Sequence, residues 1–167
     1  MAQLNNLQEL YVEELKDLWS ANDQMARALT RIAPQATHAK LKSLLESSPG
    51  GINKHTTLLK TLIDAQNAEV AKDHCKGMQG LVAEAIKHTI EEAPAKGAVL
   101  DASIIAQYQR MTHYGITGFG TVAAFARALK LDDDSDAIKA VVSDMYSVDE
   151  LMTEIAESAV NVEAVTG

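Results

Sequence analysis

Apolar residues recur along this chain at steps of three and four, the spacing of one face of an α-helix. Leu4, Leu7, Tyr11, Leu18, Met25, Leu29 and Ile32 mark a first long helix that ends near Ala33-Pro34. Leu41, Leu44, Leu45, Ile52, His55, Leu58, Leu59 and Leu62 form a second stripe. Ile104, Ile105, Tyr108, Met111, Phe119, Val122 and Leu129 form a third, and Ile138, Val141, Val142, Met145, Met152 and Ile155 the last. Between the second and third, Cys75 to Glu92 reads as a shorter helix that stops near Pro94 and Gly97. No window alternates with period two for long enough to be a strand. The pattern predicts a single all-α domain over residues 1–167. Its architecture is a four-helix bundle whose long crossover carries a short extra helix. One local conflict stands out. Ser48-Pro49-Gly50-Gly51 falls in the middle of the second stripe. In a helix interior proline costs about 3 kcal/mol and each glycine about 1 kcal/mol relative to alanine. The stripe keeps its phase on both sides, so the expectation is a kink or short break with the helix resuming on the same face. A loop dividing two helices is the competing expectation.

Composition changes this picture little. Aromatic residues are only 4% of the chain, which leaves packing to Leu, Ile, Val, Ala and Met. The formal charge is −8 and no Lys/Arg run is present, so nucleic acid is not an expected partner. Cys75 is the only cysteine, which excludes an intramolecular disulfide. The first residues, Met1 to Asn6, lack the basic and apolar regions of a leader, and no stretch approaches ~18 apolar residues. A cytoplasmic protein with no membrane partner is therefore expected.

Three segments carry a family resemblance. Cys75-Lys76-Gly77-Met78-Gln79-Gly80-Leu81-Val82-Ala83-Glu84 is similar to the short crossover helix of the YciF/YciE-like family of ferritin-like proteins. Asp101 to Ala106, with His113 to Thr121, resembles its third long helix, and Leu18 to Leu29, with Ala21 and Gln24 in phase, its first. The resemblance spans roughly residues 4 to 160. It implies a ferritin-like, stress-related homodimer of undefined biochemical activity. It also implies where a di-metal centre would sit, on glutamates that face the bundle axis from each long helix. Two cations need several anionic oxygen ligands, and a bundle interior holds such charges only when they cancel.

Against that family pattern the glutamates are missing helix by helix. Asn22 stands for one in Ala21-Asn22-Asp23-Gln24, and Gly51 takes the place of another in the second helix. Thr112 and Gly115 replace two around His113-Tyr114, and Asp144-Met145-Tyr146 stands where the family has Glu-Glu-Lys, so that Met145 replaces a glutamate. The replacements Asn22, Gly51, Thr112, Gly115 and Met145 are all neutral. Without a cation, several buried carboxylates would repel and protonate, so their loss as a set is physically consistent. The expected reading is a degenerate di-metal site with no catalytic residues and no cofactor. If a residual iron or manganese site exists, its ligands are His55, His113, Asp144 and Asp149.

Other motifs fade on inspection. His74 and Cys75 are adjacent, so on a helix they point apart. Cys75 reads as a buried small hydrophobe more than as a redox thiol. Asp132-Asp133-Asp134-Ser135-Asp136 lacks the glycine and the final glutamate of a calcium loop and suits the N-terminus of the last helix. Three functions remain: a non-catalytic structural or binding dimer, a residual di-metal oxidase or peroxide-detoxifying protein, and a small hydrophobic ligand binder that uses the vacated bundle interior.

Overall fold

The structure, a computed structural model, describes residues 4–70 and 74–166. The first three residues lie outside it, and with them part of the reading that the chain begins without a leader. Helix α1 spans Leu7–Ile32, α2 Ala39–Ala65, α3 Lys76–Ile86, α4 Ala98–Ala128, α5 Asp132–Ile155 and α6 Asn161–Thr166. One 3-10 turn, Ala33–Gln35, follows α1. Wider π-type turns extend α3 over Lys87–Glu91 and α5 over Ala156–Val160. Among the described residues there is no strand, and no helix is long and apolar enough to cross a membrane.

The ends of these helices have local causes. Asn6 caps α1 by accepting from the Glu9 N–H at 2.9 Å, while Glu9 reaches back to the Asn5 N–H at 2.8 Å. Pro34 then tightens the chain into the 3-10 turn. The link to α2 is clamped by buried Asp101, which accepts from the Thr37 and His38 N–H groups at 2.8 and 2.9 Å. Gly97, at φ +139°, makes the entry into α4, a conformation that side-chain-bearing residues rarely adopt. Arg127 bridges Asp132 and Asp136 across the tight α4–α5 turn.

At Pro49 the helix keeps its face on both sides, as expected, and the break or dividing loop is what the structure corrects. α2 runs through Ser48-Pro49-Gly50-Gly51 without a break, as one helix of 27 residues. Tertiary packing outweighs propensity here. Leu41 and Leu45 before the proline, and Leu59 and Ile63 after it, are fully buried on the face that α2 turns inward. Proline removes one N–H from the ladder, and the hydroxyls of Ser47 and Ser48 both bond back to the Leu44 carbonyl at 2.9 and 2.8 Å.

α1 packs along α2, and α4 along α5, as two hairpins with short links. The hairpins meet through α1–α4 and α2–α5, and α3 lies against α1 and α4 within the long α2–α4 crossover. That is the connectivity expected of a ferritin-like bundle. The core divides into two clusters. One gathers Met25, Leu29, Leu41, Leu45, Ile104 and Met152, and the other Tyr11, Leu15, Leu59, Phe119, Ile138 and Met145. Along α1 the division falls between Leu18 and Ala21, and along α4 between Met111 and Ile116.

Candidate functional site

The seam between the two clusters holds a cavity of about 300 Å³. All four long helices line it. α1 contributes Asn22 and Met25, and α4 contributes Tyr108 and Thr112. α2 brings Ser48, Gly51, Ile52 and His55, and α5 brings Asp144, Met145 and Val148. Four of the five positions at which the family resemblance implies a lost glutamate, Asn22, Gly51, Thr112 and Met145, therefore open on one space. The fifth, Gly115, lies directly behind Met145. A Cβ placed on Gly115 would come within 2.4 Å of the Met145 Cε. The Met145 methyl thus occupies the space in which a side chain at position 115 would begin. At Gly51 nothing lies within 4 Å of where a Cβ would stand, so that side of the cavity remains open.

The cavity is polar at its floor in an uncommon way. Asn22 is 5% exposed and Thr112 2%. The Asn22 Nδ2 and the Thr112 Oγ1 are buried and have no hydrogen-bond partner. Native interiors leave few such groups unpaired. Beside them the hydroxyls of Tyr108 and Ser48 lie 3.2 Å apart. Burial raises the Tyr108 pKa, against weaker lowering by Ser48 and by Thr112, whose hydroxyl is near but not in hydrogen-bonding geometry.

The residues that could form a remnant metal site do not come together. His55 Nε2 is 3.6 Å from Asp144 Oδ2 at the cavity mouth, where the Asp144 side chain is 74% exposed. His113 and Asp149 make a separate pair at 3.0 Å, with His113 turned to solvent. Asp149 Oδ1 is already engaged by Gln109 Nε2 at 3.1 Å. Among the described residues no three His, Cys, Asp or Glu side chains gather at metal-binding distance. One histidine and one largely exposed carboxylate do not match the oxygen-rich, charge-cancelling ligand set that two cations require. The donor set does not fit a di-metal centre.

A second polar cluster, on the other side of α1, was not anticipated. The Cys75 N–H donates to Ser20 Oγ at 3.0 Å, and Gln24 Nε2 donates to the Cys75 carbonyl at 3.1 Å. The Cys75 thiol donates to Asp17 Oδ2 at 3.0 Å, and the Tyr114 hydroxyl donates to the same oxygen at 3.2 Å. Cys75 is also the N-cap of α3, its sulfur accepting from the Met78 N–H. Burial raises the thiol pKa, so it stays protonated despite the helix N-terminus. Cys75 is buried as expected, but as an anchored polar group. Asp17, Ser20 and Gln24 share one helix face at spacings of three and four, and that was the available signal for this anchor.

Comparison with known proteins agrees with this architecture. The chain is 27% identical to protein YciF of Escherichia coli over 165 residues, 96% of each chain. The crystal structure of that E. coli stress protein superposes with a TM-score of 0.87 at 25% identity, covering 95% of this chain and 99% of that one. YcfI of Rhodopseudomonas palustris, for which a structural role has been suggested, gives a TM-score of 0.84 at 26% identity over 91% of this chain and 96% of its own. A family model described as a domain of unknown function, DUF892, matches residues 6–165, and the chain belongs to that family of YciF-like helical bundles.

Proposed function

We propose that this protein has kept the bundle and given up di-metal chemistry, and that it acts as a non-catalytic, stress-associated homodimer in the cytoplasm. The observation that carries the reading is the convergence of Asn22, Gly51, Thr112 and Met145 on one cavity that offers no buried anionic ligand. Met145 in the volume behind Gly115 supports it, because a glutamate restored there would need the flexible end of the methionine to move aside. The homodimer is carried over from the family likeness.

The test is the metal content of protein purified without chelators, by elemental mass spectrometry, before and after loading with ferrous iron and manganese. The expected result is far below one ion per chain under both conditions. About two ions per chain, held through gel filtration, would overturn the reading and revive an oxidase or peroxide-detoxifying role. Light scattering on the same sample is expected to give twice the chain mass.

A further inference from the structure

We infer that the seam cavity binds a compact, uncharged, largely apolar molecule carrying one hydrogen-bond-accepting oxygen, such as a ketone or ester carbonyl. This rests on the reading of the seam as free of metal and deepens it. Size sets the first limit, since about 300 Å³ lies at the lower end of small-molecule sites. The walls set the second. Met25, Leu44, Ile52, Met145 and Val148 present apolar surface, and the two methionines can adapt to an occupant's shape.

The floor sets the chemistry. A buried donor left unbonded is costly, and an arriving acceptor recovers part of that cost. Asn22 Nδ2 is such a donor, and Asn22 and Thr112, whose Oγ1 is likewise without a partner, both line the cavity. Both atoms are themselves buried, so the Asn22 side chain has to turn to present its amide to an occupant. Among the described residues that line the cavity no charged side chain is buried. Lys54 is exposed at the rim and Asp144 is mostly in solvent, so a carboxylate or ammonium on the ligand would find no buried counter-charge. Gly51 supplies the way in, because α2 carries no side chain across the opening there.

The probes are butyrophenone, butylbenzene and phenylbutyrate, which share a ring and a short chain. They differ in an acceptor oxygen and a charge. Amide NMR spectra of the full chain would be followed on titration. Butyrophenone is expected to shift the Asn22 side-chain amide saturably and to bind about tenfold tighter than butylbenzene. Phenylbutyrate is expected not to bind. In Asn22→Leu the ketone's advantage over the hydrocarbon disappears. In Gly51→Leu, where the new Cβ meets nothing and leucine favours the helix, binding of both neutral probes falls by at least about tenfold. The inference is overturned by no saturable shift up to the solubility limit, which leaves a water-filled cavity only. It is also overturned by binding that Gly51→Leu does not weaken, or by a ketone advantage that survives Asn22→Leu. Metal content measured on the same samples separates this failure from failure of the metal-free reading.

Discussion

Two polar groups of side chains sit inside this bundle on one stretch of α1, and they behave in opposite ways. Ser20 and Gln24 face the crossover, where Cys75, Asp17 and Tyr114 close a network in which the donors find acceptors. Asn22, between them in sequence, points about 200° away from Ser20 and opens on the seam cavity. There its Nδ2 and the Thr112 hydroxyl have no partners. The crossover cluster is also packed to contact. A Cβ on Gly77 would come within 2.6 Å of the Tyr114 hydroxyl, whereas one on Gly51 at the cavity would meet nothing within 4 Å. A satisfied, close-packed polar cluster fixes one arrangement of helices. An unsatisfied, roomy one leaves free energy and space for something else.

The largest effect that tests the contrast is expected at Gly77. Gly77→Val drives a branched side chain into the rigid Tyr114 ring at the first turn of α3. Overpacking of this kind costs about 2–3 kcal/mol, more than valine gains over glycine in helix propensity. Urea unfolding should show the loss, and Tyr114→Ala in the same chain should restore part of it. A Gly77→Val protein as stable as the parent would mean that Tyr114 moves aside freely and that the cluster anchors nothing.

At the cavity the sign should reverse. Thr112→Val keeps the shape of the side chain and removes a buried hydroxyl with no partner. Stability is expected to rise by about 1 kcal/mol in the ligand-free protein. A loss of similar size would show that the hydroxyl is already satisfied, by ordered water or by a bond with Tyr108, and the contrast between the two clusters would shrink accordingly.

How far the sequence foretold this molecule follows from what spacing can encode. The three- and four-residue period placed every long helix and the short crossover helix, because burial of one face is written directly into the order of residues. The family likeness, not the spacing, singled out Asn22, Gly51, Thr112 and Met145, and those four do share a cavity. Pro49 misled only in suggesting a break, since local propensity carries no information about the packing of Leu45 and Leu59 that keeps α2 whole. His113, grouped by type with His55, ended on a different surface, because spacing fixes a face on one helix but not which faces of distant helices meet. Nor could spacing reveal that Met145 fills the gap behind Gly115, which depends on a side-chain path between two helices.

The smallest expected effect lies at the cavity mouth, in His55. Its ring meets Phe119 edge-on, with centroids 6.1 Å apart, and its side chain is only 16% exposed. Burial lowers its pKa below 6.5, while the Asp144 carboxylate, 3.6 Å away, pulls it part of the way back. The folded protein thus disfavours the charged ring. As pH falls through about 6.5, the unfolded chain takes up this proton first, so stability declines between that value and the lower folded-state pKa. Above the window the histidine costs nothing, and below it the loss is constant. His55→Gln should flatten this part of the stability profile, on top of a pH-independent offset from the lost contact with Phe119, read as urea midpoints across the window. A ring titration by NMR with a midpoint above 6.5 would reverse the sign. Asp144 would then dominate, the mouth would be charged, and the separation between an open polar rim and a buried, unsatisfied floor would have to be redrawn one helical turn deeper.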